Sequence, residues 1–275
     1  MNPILKYPGA KWRIADWIVE QMPPHICYVE PYFGSGAVFF NKPKSRIETI
    51  NDLDRSIVRF FKACRDHPEE LSEAISLTPW SREEFLAAKF DCDEQMDDVE
   101  AARQFAVHCW MTFGARMHYK TGWRVSTART ADPGPDNPKL WRRLPELVQQ
   151  VANRLLDAQI ENRPALDIIR QNDGAEVLIY ADPPYLKETR SVNGDQYRHE
   201  MTGSDHEELL KALLAHKGMV MLSGYDSEMY RDMLKGWTCR TINTTAERAA
   251  CRTESLWLNE KCAGRSETLL TGLLE

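Results

Sequence analysis

At 275 residues, 43% of them hydrophobic, the chain is long enough to bury a core without covalent staples, and no apolar run approaches the roughly 18 residues of a membrane span. Seven cysteines without a Cys-x-x-Cys pair and seven histidines without ligand spacing indicate neither a disulfide framework nor a metal site. A net charge of -6 argues, taken alone, against a polyanionic partner.

The opening Met1-Asn2-Pro3-Ile4-Leu5-Lys6 lacks the apolar stretch of a secretory signal, so a cytoplasmic protein with reduced thiols is expected. Next comes Lys6-Tyr7-Pro8-Gly9-Ala10-Lys11, which on composition alone is a turn. Ile26 to Glu30 is a short β-prone run that ends in Pro31 and a glycine turn, after which Ala37-Val38-Phe39-Phe40 begins a predicted helix. Arg46 to Asn51 reads as a second strand ending on Asp52, and Ile57, Val58, Phe60, Phe61 and Cys64 recur at helical spacing.

From about Pro68 to Gln150 the pattern is helical, with aromatic interruptions and an uneven charge. An acidic stretch, Asp91 to Glu100, precedes a segment in which Arg103, Arg116, Lys120, Arg124, Arg129, Lys139, Arg142 and Arg143 face only Asp132 and Asp136. One cationic face on an acidic protein is expected, which restores a nucleic-acid partner. Within it, Phe113 to Val125 reads as a hairpin with Thr121-Gly122 near its turn, and Arg116 and Arg124 suit either guanine edges or phosphates.

Glu176 to Ala181 is a strand that is apolar after its first residue, the helix from Asp205 to His216 follows, and Met219 to Ser223 is a further strand. Cys239 to Asn243 and Ser255 to Leu258 are weaker strands expected to close the sheet as an antiparallel pair. Strand, crossover helix and strand at both ends imply an α/β fold with a mainly parallel sheet, into which the helical middle is inserted. The expected division is 1–64 and 151–275 for the sheet domain and 65–150 for the insertion. Ligands of such sheets sit beyond the carboxyl ends of the strands, so the loops after Glu30, Asn51, Ala181 and Ser223 should meet.

Three of those loops carry chemistry. In Glu30-Pro31-Tyr32-Phe33-Gly34-Ser35-Gly36 two glycines permit a sharp turn and close approach to a ligand, while Phe39 stands where a pyrophosphate fingerprint has its third glycine. Asp52, after the next strand, suits the two hydroxyls of a ribose, so a nucleoside without a pyrophosphate fits both. Asp182-Pro183-Pro184-Tyr185 follows a buried strand, and its prolines stiffen a loop whose acceptors are the Asp182 carboxylate and the Pro183 carbonyl. Such acceptors suit the protons of a nucleobase amino group, whose delocalised lone pair must be freed for in-line attack on a sulfonium methyl. Tyr185 would stack on a base flipped out of its duplex. The polar stretch Thr189 to Tyr197 reads either as a lid or as a surface loop, and Tyr225 as pocket lining or packing.

Taken together, Lys6 to Lys11, Glu30 to Gly36, Asp52 and Asp182 to Tyr185 resemble, in identity and order, the Dam-type or D12 class of N6-adenine DNA methyltransferases. The resemblance spans almost the whole chain. It implies a Rossmann-like S-adenosylmethionine-dependent methyltransferase sheet with an inserted, mainly helical target-recognition domain, and site-specific methylation of adenine N6 in double-stranded DNA by a monomer or weak dimer. It implies cofactor roles for Tyr7, Lys11, Glu30, Pro31, Phe33, Gly34, Gly36, Asp52 and Asp182, and an active site at Asp182, Pro183, Pro184 and Tyr185. DNA contacts are expected from Arg116, Tyr119, Lys120, Arg124 and Arg129.

Two departures stand out. Ala10 replaces the second of two adjacent glycines, and the hairpin lacks the family's Asn-Gly and aromatic-Asn-Val-Pro patterns, so its base contacts do not carry over. The alternatives are methylation of RNA adenine or cytosine N4, or a non-catalytic DNA-binding module on the same fold. Cytosine N4 enzymes more often have Ser in place of Asp182, and intact Asp52, Asp182 and Tyr185 favour turnover.

Overall fold

A computed structural model describes residues 1–89, 94–113, 121–125, 136–186, 189, 196–245 and 251–264. Two compact units emerge. One comprises Lys11–Leu53, Ala158–Gly194 and His199–Glu275; the other comprises Met1–Ala10, Asp54–Asp157 and Asp195–Arg198.

The first unit is built on seven strands: β1 (Cys27–Glu30), β2 (Ile47–Asn51), β3 (Ala158–Glu161), β4 (Val177–Ala181), β5 (Met219–Gly224), β6 (Thr238–Thr245) and β7 (Cys251–Leu258). Their order is β3-β2-β1-β4-β5-β7-β6. The first five pair in parallel, and β7 runs antiparallel to both β5 and β6. Strand order reverses between β1 and β4, which makes their carboxyl ends the switch point of a Rossmann-like α/β sheet. The helices of this unit are α1 (Ala15–Val19), α8 (Ala165–Gln171), α9 (Gly203–Ala215) and α10 (Glu228–Met233).

Strand alternation explains where the core lies. Val29, Ile179, Ala181, Val220 and Leu222 point to one face and pack with Ile168 of α8, Leu209, Leu210 and Leu213 of α9, and Tyr230 of α10. The helix α9 starts on a capping box in which Thr202 and Asp205 exchange hydrogen bonds. Polar side chains are buried elsewhere. Lys42 Nζ lies 2.5 Å from Glu48 Oε1, donates to Pro43 O and Ser45 Oγ, and sits 4.3 Å from the Tyr28 ring centroid, with the Lys42 and Glu48 side chains 1% and 2% exposed.

The second unit is helical: α2 (Arg55–Asp66), α3 (Pro68–Ser76), α4 (Arg82–Ala87), α5 (Asp98–Met111), α6 (Asn137–Trp141) and α7 (Leu144–Leu155). Helices α2, α3, α5 and α7 pack on one another. Their core holds Phe60, Phe61 and Phe105, and two buried tryptophans whose ring N–H groups find carbonyls: Trp110 donates to Ile4 O at 2.9 Å and Trp141 to Thr78 O at 2.8 Å. Asp54 caps α2 by accepting from Ser56 N, and Asp97 caps α5.

The expected strands and long helices all form, with three differences. The helix predicted from Ala37 is only a set of turns, because Asn41 Nδ2 donates to Ala37 O at 2.7 Å and Pro43 follows two residues later. Strand β3 is additional; its four residues, Ala-Gln-Ile-Glu, sit on the sheet edge without being fully buried, and their single large apolar side chain gives too short a pattern to mark a strand. Short helices α1, α8 and α10 are additional as well. The compact units also divide the chain at Asp54 and Asp157, which places all of α2 and α7 in the helical unit. No helix among the described residues is long and apolar enough to cross a membrane.

The Lys42–Glu48 pair generates a stability test. Glu48→Gln leaves a buried ammonium with a weaker partner and is expected to cost about 3 kcal/mol, read from the urea midpoint. Replacing both partners, Lys42→Met with Glu48→Leu, is expected to recover most of that loss. A double variant less stable than the single one would show that the pair is net stabilising.

Candidate active site

Strand β1 delivers Glu30 to the carboxyl edge of the sheet with its side chain inside the protein, 2% exposed. Tyr28, two residues back and therefore on the same face, donates its hydroxyl to Glu30 Oε2 at 2.7 Å. Burial pushes the Glu30 carboxyl up to about 8, with the nearby Asp182 adding to the rise and the Tyr28 hydroxyl opposing it.

The loop after β1 is held by β2 and its extension. Asn51 Nδ2 donates to Pro31 O at 2.9 Å, Phe33 N to Asn51 O at 2.9 Å, and Gly34 N to Asp52 Oδ2 at 2.8 Å. Gly34 and Gly36 take φ of 51° and 69°, and a Cβ on Gly36 would come within 2.5 Å of the Phe33 and Phe40 rings. Both glycines are therefore required by the backbone. Phe33 itself is buried, edge-on to Phe39 and Phe40. Asp52 also offers its carbonyl to Asn162 Nδ2 at 2.7 Å.

Asp182 follows β4, the strand that pairs with β1. Its Oδ1 lies 2.9 Å from Lys11 Nζ, and Lys11 is itself buried. Burial raises the Asp182 carboxyl above its ordinary range and the Glu254 carboxylate adds to the rise, while Lys11 and the Tyr185 hydroxyl pull it down. Pro183 and Tyr185 are buried and Pro184 is half-buried. The Tyr185 ring has Lys11 Nζ 4.7 Å from its centroid, the Tyr225 ring at 4.7 Å and 69°, and its hydroxyl on Glu254 Oε2 at 2.9 Å. The loops after β1, β2, β4 and β5 are thus linked through Gly34 and Asp52, Glu30 and Asp182, and Tyr185 and Tyr225.

Glu254 is absent from the residues singled out by sequence reasoning. The available signal was a carboxylate in the run Thr253-Glu254-Ser255-Leu256-Trp257-Leu258, where every residue from 254 to 258 is buried. A charged side chain at such a position calls for a specific partner.

Tyr7 belongs to the helical unit, where its ring lies 6.2 Å from that of Tyr197, and Gly9 carries the positive φ of 69° in that motif. Of the basic segment, Arg103 is committed inside the helical unit, bonded to Glu100 and Glu84. Arg124 donates through Nε and Nη2 to Thr112 O at 3.2 and 3.1 Å, and its N–H donates to Met111 O. Thr112 and Trp123 form an antiparallel bridge, and Phe113 N donates to Gly122 O, so Gly122 belongs to the paired arm of the expected hairpin. Arg116, Tyr119, Lys120 and Arg129 lie outside the described residues, as does most of the stretch from Thr189 to Tyr197.

Comparison with known proteins identifies the family. The family model described as D12 class N6 adenine-specific DNA methyltransferase matches residues 7–249. The Type II methyltransferase M1.LlaDCHI of Lactococcus lactis subsp. cremoris is 24% identical over 265 residues, covering 91% of this chain and 90% of that protein. DNA adenine methylases of Salmonella typhi and of Escherichia coli strain K12 are 22% and 21% identical over 244 and 238 residues, in both cases covering 83% of this chain and 82% of the relative.

The raised Glu30 carboxyl makes stability depend on pH. Below its ordinary value of 4.5 the group is protonated in both the folded and unfolded chain. Between that pH and about 8 the unfolded chain loses the proton while the folded chain keeps it, so this contribution to stability declines as pH rises. Glu30→Gln does not titrate. Relative to wild type, the ligand-free variant is therefore expected to gain melting temperature steadily from pH 5.5 to 8.5, and a gap independent of pH would refute the buried, protonated state.

Proposed function

Because the chain belongs to the D12 class of N6 adenine-specific DNA methyltransferases, we propose that it moves a methyl group from S-adenosylmethionine to N6 of an adenine flipped out of double-stranded DNA, at specific sites and in the cytoplasm. S-adenosylmethionine, when bound, supplies an electrophilic methyl group on a sulfonium centre. The residues fit such a ligand. A buried carboxyl raised to about 8 at Glu30 favours a partner that brings positive charge, and a glycine loop whose Cβ space is closed presents backbone rather than side chains.

In this reading Glu30 takes the ammonium of the methionine part, with Pro31, Phe33, Gly34 and Gly36 lining it. Asp52 takes the ribose hydroxyls, and Tyr7 and Lys11 help to hold the cofactor. The Asp182 carboxylate and the Pro183 carbonyl accept the amino protons of the target adenine, which frees the nitrogen lone pair from the ring for in-line attack. Pro184 stiffens this loop and Tyr185 offers an aromatic surface to the base. Arg116, Tyr119, Lys120, Arg124 and Arg129 contribute the DNA contacts, Arg124 while also supporting the chain at Thr112.

The observation that carries the reading is the Lys11–Asp182 pair, 2.9 Å apart and beside the buried Glu30. Lys11 favours the ionised, proton-accepting form of Asp182 against the cost of burial. Asp182→Ala is expected to remain folded at a lower urea midpoint, because buried Lys11 loses its partner, and to lose methyl transfer to unmethylated DNA by on the order of 10²- to 10³-fold or more. Transfer of labelled methyl at near wild-type rate in that variant would remove Asp182 from the reaction.

A further inference from the structure

We infer that Glu254 is a positioning residue for methyl transfer, anchoring the Tyr185 side chain through its hydroxyl and thereby holding the Asp182 to Tyr185 loop in its working geometry. The inference rests on the reading of Asp182 and Tyr185 given above.

Topology accounts for the reach of Glu254. Strand β7 is antiparallel to β5, with Ser255 opposite Gly224, the last residue of β5. Glu254 therefore stands just beyond the end of β5, at the carboxyl edge where Asp182 and Tyr225 also lie. A parallel strand would bring its last residues to this edge; an antiparallel one brings its early residues. Its neighbours Leu256 and Leu258, at the alternate positions of the same face, are 1% and 0% exposed. A carboxylate on such a face carries a desolvation cost that a well-made hydrogen bond must offset.

The partner is the Tyr185 hydroxyl, at 2.9 Å. The Tyr185 ring has Lys11 over one face and Tyr225 in an edge arrangement, and its hydroxyl meets Glu254 and also acts on Asp182. The first two would serve a phenylalanine equally well. Only a hydroxyl can reach Glu254 and so set the ring's rotation and depth, and Tyr185 is separated from Asp182 by two prolines whose φ angles are locked. A ring held at one end of that stiff loop constrains the carboxylate at the other.

The groups facing Asp182 are Lys11, Glu30, Glu254, Tyr185, Tyr180 and Tyr230. Glu254 adds a negative charge to that set, so its neutralisation favours the ionised form of Asp182.

The test is single-turnover transfer to unmethylated bacterial genomic DNA, with enzyme in excess and S-adenosylmethionine prebound. Glu254→Leu and Tyr185→Phe are each expected to slow transfer by a similar factor, on the order of 10-fold to 100-fold, with cofactor affinity changed less than about 3-fold. Their combination is expected to be no slower than Tyr185→Phe alone, because that substitution already removes the hydroxyl through which Glu254 acts. Glu254→Gln keeps an acceptor for the hydroxyl and is expected to stay within about 3-fold of wild type, with the acidic limb of its pH–rate profile moved to lower pH. Tyr185→Phe removes a single oxygen atom and leaves Glu254 in place, which guards against simple misfolding of the Leu variant.

Wild-type rates in Glu254→Leu, multiplying losses in the double variant, or a Gln variant as slow as the Leu variant would each overturn the inference. Asp182→Ala is run alongside. If it retains transfer, the underlying reading of the site fails; if it is inactive while Glu254→Leu is unimpaired, only the role of Glu254 fails.

Discussion

Two carboxyl groups buried at the ends of neighbouring parallel strands constrain everything around them. Glu30 closes β1 and Asp182 follows β4, and Asp182 adds to the proton affinity that burial gives Glu30. Burying an acid against a like charge is costly, and the protein answers with named partners rather than with solvent. Tyr28 donates to Glu30, Lys11 pairs with Asp182, and Lys42 covers the Tyr28 ring while pairing with Glu48. A continuous line of polar contacts thus runs through one face of β1 and β2, from Glu48 through Lys42 and Tyr28 to Glu30. The opposite face of the sheet carries the apolar core against α8, α9 and α10.

Topology decides which side chains reach this edge. Parallel β1, β2 and β4 bring their final residues and the loops that follow, which explains why Asp52 meets Gly34 and Asp182 acts on Glu30 although they are far apart in the chain. The closing hairpin of β6 and β7 reverses direction, so an early residue of β7 arrives there instead. Positive φ at Gly34 and Gly36 lets the first loop turn back until its amide meets Asp52. A Cβ at position 36 would strike two phenylalanine rings, so the loop's shape and its aromatic support depend on each other.

Much of this was legible in the sequence where chemistry and periodicity coincide. Apolar runs at Val177 to Ala181 and Met219 to Ser223 specify buried strands, and the Asp-Pro-Pro-Tyr loop directly after one of them marks the working edge. The illegible parts have physical reasons. Strand β3 owes its place to pairing with β2 at the sheet edge, where a half-exposed strand needs little hydrophobicity. The Ala37 segment has helix-forming residues, yet a side-chain hydrogen bond from Asn41 and the proline at 43 stop it after a few turns. Arg103 counts toward a cationic segment by composition, but Glu84 and Glu100 consume that charge inside the helical unit. Glu254 was hidden because its meaning lies in a tyrosine 69 residues away.

The charge balance ties binding to chemistry. Glu30 holds its proton up to a pH of about 8 because burial and Asp182 disfavour a second negative charge nearby. A cationic ligand beside Glu30 reverses that preference and draws the proton off. Asp182 belongs to the same field, stabilised in its ionised form by Lys11 and disfavoured by Glu254. The charge on Asp182 therefore bears on the proton held at Glu30, and a cation beside Glu30 works against that effect. A site arranged in this way is least stable with both carboxyls ionised and gains most from a ligand that carries positive charge. The instability of the ionised site and its preference for a cation have one origin, the burial of Glu30 and Asp182 at adjacent strand ends.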